Sequence, residues 1–167
     1  MAAKWELGYP SGIYMENVSP GRASPAVARI MAIDYGSRRI GLAVTDELGV
    51  TAQGLPTLHR TNKRNDFDHL RRTIKQYGVS EIVVGLPLRM SGEAGTQSAK
   101  IEEFAEALRT RFKLPVSLFD ERLTSVEANR VLDETEMSGR RRKQVVDQLA
   151  AVLILEGFLG YRAARRD

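Results

Sequence analysis

RIMAIDYGSRRIGLAVTD, residues 29–46, is the stretch that decides the fold. Its first half, RIMAIDYG, is a continuous apolar run that stops at an aspartate and a glycine. A strand buried on both faces ends this way when it reaches a turn. RIGLAVTD reads as a second strand after the short link Gly36-Ser37-Arg38. Asp34 is thereby delivered to the carboxyl end of a buried strand, where open α/β sheets bind their ligands. Gly36 lets the backbone turn away beside it. Taken alone, Asp34 reads better as an Asx turn closing a strand.

Outward from this hairpin, a weaker strand at residues 50–58 completes a meander. Phe67, Leu70, Ile74 and Tyr77 mark one helical face, with Asn65 as the expected cap and Gly78 as the stop. EIVVGLP (81–87) has the continuous apolar character of a central parallel strand. GEAGTQSAK (92–100) is a loop leading into a helix whose apolar face is Ile101, Phe104, Ala105, Leu108 and Phe112. LPVSLFDER (114–122) is a further strand. Thr124 and Glu127 form a capping box that starts another helix, and a last helix runs over about 140–161. Helices between the later strands imply right-handed crossovers and a sheet covered on both faces. Residues 29–167 are expected to form one domain. Residues 1–28, broken by Pro10, Gly12, Pro20, Gly21 and Pro25, are expected to be a flexible extension.

A chain of 167 residues can bury a core without staples, and 43% hydrophobic with 28% charged residues is ordinary globular composition. The absence of cysteine removes disulfides, thiolate zinc sites and thiol nucleophiles together, and suits a reducing cytoplasm. The longest strongly apolar run, LAAVLIL (149–155), falls far short of the roughly 20 residues that span a bilayer, so no membrane role is expected. The net charge of +4 is concentrated in RRRK (140–143) and in Arg162, Arg165 and Arg166. Such blocks suit a polyanion, and equally a solvated surface.

Two further acidic positions stand beside Asp34. Asp120 and Glu121 end a predicted strand, where adjacent residues point to opposite faces, so one of them shares a side with Asp34. Asp147 lies inside VVDQLAAVLIL, a helix apolar enough to be largely buried. A carboxylate there is costly without a cation or donors to compensate it. Oxygen ligands without His or Cys suit magnesium or manganese. Two such ions activate water and stabilise the leaving oxygen of a phosphodiester without a histidine base. Arg38, Arg39 and Arg122 near this site, and Arg141, Arg142 and Lys143 beyond it, are the expected phosphate contacts.

Four segments in order, IDYGSRRIGLAVTD (33–46), IVVGLPLRMSG (82–92), DERLTSVEA (120–128) and DQLAAVLIL (147–155), resemble the YqgF, or RuvX-like, family of RNase H-like nucleases. Ser125 stands where that family usually has a second threonine, and keeps the hydroxyl. The resemblance implies a five-stranded mixed sheet of order 3-2-1-4-5 flanked by helices. It implies a catalytic set of Asp34, Asp120, Glu121 and Asp147, with Asp34, Asp147 and one of the acidic pair holding the metal; Glu121 is favoured for its longer reach. It implies trimming of the 5′ end of precursor 16S ribosomal RNA, with Holliday-junction resolution on branched DNA as the competing assignment, in a monomer or homodimer. The rival from another class is a non-catalytic nucleic-acid-binding module, which would gain nothing from a buried Asp147. A kinase or actin-like phosphate site needs two such domains. Residues 92–100 lack the Walker spacing, and no G-x-S-x-G elbow is present.

Overall fold

Strand β1 (Arg29–Tyr35) lies in the middle of the sheet because nearly every residue in it can be buried on one face or the other. A computed structural model describes residues 27–87, 95–120 and 139–166, with the backbone alone at 140–144. After β1 come β2 (Arg39–Thr45), β3 (Ala52–His59), α1 (Lys63–Tyr77) and β4 (Val79–Leu86). Then follow α2 (Thr96–Phe112), β5 (Val116–Asp120) and a long helix, here α3 (Gly139–Ala164). The sheet order is β3-β2-β1-β4-β5, as the family resemblance implied. β1 runs antiparallel to β2 and parallel to β4. β2–β3 is antiparallel and β4–β5 parallel.

Alternation along β1 divides the core in two. Met31 and Ile33 join Ile40, Leu42, Leu70, Ile82 and Leu108 on the face covered by α1 and α2. Ala32 joins Ala43, Val83, Phe119, Ala151, Ile154 and Leu155 on the face covered by α3. The small residues at 32 and 43 let a helix lie close over the middle of the sheet. β3 is an edge strand, and it carries Pro56 and several exposed residues accordingly.

Two expectations shift. The third strand begins at Ala52, since Asp46 Oδ1 accepts from the backbone N–H of Val50 (2.8 Å) and Thr51 (3.2 Å) and holds those residues in a turn. The cap of α1 is Asn62 rather than Asn65. Asn62 is extended, and its Oδ1 accepts from Asn65 N–H at 2.9 Å. Gly78 does stop the helix, in the left-handed conformation. Asn62→Ala is expected to lower stability by about 1 kcal/mol, read as a shifted urea midpoint at unchanged slope. The helix expected from Thr124 and most of the extension expected at 1–28 lie outside the described residues. Among the described residues, no helix is long and apolar enough to cross a membrane.

Candidate active site

Asp34 is the sixth residue of β1, on the same face as Ala32, so it projects toward α3. Its register partner on β2 is Gly41. A Cβ built at Gly41 would stand 2.3 Å from the backbone oxygen of Asp147 and 3.3 Å from Cβ of Asp34. The missing side chain therefore lets α3 settle its backbone directly on β2, beside the end of β1. This approach brings Asp147, in the early part of α3, against Asp34.

The electrostatics record the crowding. Asp34 is pushed up from 3.8 to about 6, first by burial and then by the negative charge of Asp147. Asp147 is also raised, by burial, while Arg39 and then His59 pull it partly back. Arg39 Nε lies 2.8 Å from Asp147 Oδ2. The N–H does not aim at that oxygen, which is buried and accepts no aligned hydrogen bond among the described residues. The contact is one of charge more than of directed bonding.

Asp120 ends β5 in register with Leu86. Alternation gives it the face of Val116 and Leu118, which pack under α1 and α2, whereas Phe119 faces α3. Asp120 is thus on the opposite side of the sheet from Asp34. Glu121 and Arg122 lie outside the described residues. Arg38 is exposed in the β1–β2 turn. Arg141, Arg142 and Lys143 occupy the first turns of α3, ahead of Asp147. Among the described residues, no three acidic, His or Cys side chains already form a cation cage.

Three participants escaped the sequence reading. Gly41 sets the helix-to-sheet distance. His59 ends β3 opposite Arg39 and adds positive influence near Asp147. Arg60 braces the β1–β2 turn: Nη1 donates to Gly36 O at 2.9 Å and Nε to buried Asp66 at 3.1 Å, with the guanidinium 4.5 Å from the Tyr35 ring centroid. Strand pairing creates the second of these neighbourhoods and tertiary packing the other two, and no local motif announces them.

The carboxylates fit a divalent cation on their own chemistry. Two oxygen donors crowd each other, both favour neutralisation, and one buried oxygen lacks an aligned donor.

The sheet order and the helices covering both faces define an RNase H-like fold. T. thermophilus RuvC, solved in complex with a Holliday junction substrate, superposes with a TM-score of 0.52 at 14% identity, over 82% of this chain and 96% of that one. The yeast mitochondrial Holliday junction resolvase Ydc2 gives 0.53 at 14% identity, over 87% and 83%. The chain belongs to the RuvX family, described as Holliday junction resolvase, whose model matches residues 28–161. Among its relatives, a protein of Koribacter versatilis named as a candidate pre-16S rRNA nuclease is 58% identical over 139 residues, 83% of this chain and 91% of its own. A Moorella thermoacetica protein of the same name is 50% identical over 131 residues, 78% of this chain and 94% of its own.

Proposed function

We propose that this protein is a cytoplasmic, divalent-metal-dependent nuclease that hydrolyses phosphodiester bonds at the 5′ end of precursor 16S ribosomal RNA. The observation that carries the chemistry is the convergence of Asp34 and Asp147, from separate elements, at the carboxyl end of the central strand. The names of the relatives support the substrate. Asp34, Asp147 and Glu121 would hold the metal. Asp120 is the weaker candidate because it shares the face of Val116 and Leu118. Magnesium is preferred to manganese on cellular abundance alone.

A divalent metal held by these carboxylates would supply water activation and charge neutralisation for phosphodiester hydrolysis. The chain's own residues do the rest. Asp34 and Asp147 fix the place of reaction, burial keeps bulk water from screening it, and the Arg60 brace keeps the β1–β2 turn from drifting. Arg38, Arg39, Arg122, Arg141, Arg142 and Lys143 are the cations for the substrate backbone. Structured RNA read in this way is recognised by shape and phosphate more than by base edges.

The test is to incubate wild type and Asp34→Asn, with magnesium and then manganese, on precursor small-subunit ribosomal RNA and on a four-way DNA junction. Metal-dependent RNA cleavage by wild type is expected, with turnover reduced at least roughly 1,000-fold in the variant and binding retained. The family description favours a second reading, resolution of branched DNA. Preferential, symmetrical cutting of the junction would establish that reading instead. Binding without cleavage under either metal would leave a non-catalytic module.

A further inference from the structure

We infer that Arg39 is a built-in counter-ion for the acidic site: its guanidinium neutralises Asp147 in the metal-free protein, gives way when a cation binds, and is thereby released to the substrate's phosphate. This rests on the metal-dependent reading above and assigns Arg39 a role that a plain phosphate contact would not have.

The geometry of the ion pair is the first support. Four other ion pairs among the described residues, Arg29–Glu47, Arg60–Asp66, Arg109–Glu106 and Arg162–Glu81, each contain an aligned hydrogen bond. Arg39–Asp147 is as short as any ion pair needs to be, at 2.8 Å, yet the Asp147 oxygen accepts no aligned bond. Arginine locks onto a carboxylate by a bidentate fork. Contact through a single misaligned Nε keeps the Coulomb attraction and forgoes the lock, so the guanidinium can leave at modest cost.

Position is the second support. Arg39 begins β2 on the face of Gly41 and Ala43, so its backbone is held by the sheet beside the place where α3 touches down. The Arg39 side chain is 31% exposed and that of Asp147 only 17%. The arginine reaches in from the solvent side and can swing outward without unpacking the core. An incoming nucleic-acid strand would approach from that side. Charge supplies the third support. One guanidinium offsets only one of the two carboxylates that the close approach of α3 to β2 brings together. A divalent cation satisfies both, so exchange is favourable and the arginine is the group displaced.

The signs of the consequences separate this role from others. A counter-ion competes with metal, so removing it tightens metal binding. A purely phosphate-holding arginine would leave metal affinity unchanged, and a structural arginine would weaken it by loosening the site. The experiment is calorimetric titration of manganese into nucleic-acid-free wild type, Arg39→Gln, Arg39→Lys and Asp147→Asn at low salt, each checked for folding by thermal melting. Arg39→Gln is expected to bind manganese about two- to fivefold more tightly than wild type, the effect of deleting a partly exposed ion pair. Its affinity for nucleic acid is expected to fall. Arg39→Lys, which keeps the charge, should stay near wild type in metal affinity, and high salt should narrow the difference between Gln and wild type. Unchanged or weaker manganese binding by a folded Arg39→Gln overturns the inference while leaving the metal site standing. Wild type that binds no manganese, or binds it as well with Asp147→Asn, overturns the metal reading itself and the inference with it.

Discussion

Gly41→Ala is expected to reduce turnover at least about 100-fold and to destabilise the fold by roughly 1–3 kcal/mol. The new methyl carbon would lie 2.3 Å from the backbone oxygen of Asp147 and 3.0 Å from its carbonyl carbon. These are main-chain atoms of a helix, not the free end of a side chain, so the clash is relieved only by moving α3 or β2 by about an ångström. The same displacement separates Asp147 from Asp34, and misplacement on this scale costs orders of magnitude where geometry carries the catalysis. Gly54→Ala is the matched control under the same helix. Its Cβ would meet Gln148 Cβ and Val152 Cγ2 at 3.5 Å, ordinary contact distance, and turnover is expected to change less than about twofold. Steady-state cleavage, manganese affinity and urea unfolding on the pair decide the matter. A Gly41→Ala protein as active as wild type would mean that the helix does not need this approach.

Why Gly41 went unread explains much of what sequence could and could not deliver. Glycine within a strand signals only that some backbone comes close; which one depends on Asp147 of α3, more than a hundred residues away in the chain. Asp34 was legible because an apolar run stopping at an aspartate is a local pattern. Asp147 was legible because a carboxylate in an apolar helix violates one. Their convergence was implied by the family resemblance alone, and the Arg39–Asp147 pair was not legible at all, since it arises from packing of α3 across β2. His59 lay in a polar stretch with nothing to mark it, and becomes part of the site only through its register with Arg39. The phase of β5 was ambiguous because LPVSLFD has apolar residues at both parities. Packing of Val116 and Leu118 under α2 resolves it and turns Asp120 away from Asp34. The strand order was implied by the family resemblance and agreed with the alternation of elements. The cap of α1 was misplaced by one turn because Asn62 and Asn65 are both competent, and only the extended backbone at Asn62 chooses between them.

Asp34→Asn should do more than abolish cleavage: it should make the metal-free protein more stable at neutral pH. Folding raises the Asp34 carboxyl from 3.8 to about 6, so between those values the folded state binds more protons than the unfolded one. Stability contributed by this group is therefore complete below pH 3.8, is lost as pH rises through 6, and stays lost above it. At pH 7 wild type carries the full cost of a buried, ionised carboxylate beside Asp147, up to about 3 kcal/mol for a shift of this size. Asparagine has the same shape and no charge to desolvate, so the variant recovers up to that amount at pH 7 and close to none near pH 4. Urea unfolding in chelator from pH 4 to 8 reads this as two curves that coincide in acid and diverge toward neutrality, with the variant above. Added manganese should close the gap from the wild-type side, because a ligand that binds only the folded state adds its binding energy to stability. A variant less stable than wild type at pH 7 in chelator would mean that Asp34 is compensated within the protein already. The site would then have no electrostatic demand for a cation. A stabilising mutation that destroys activity is what a site poised for a missing positive charge requires, since the repulsion that weakens the empty fold is the same interaction that binds the metal.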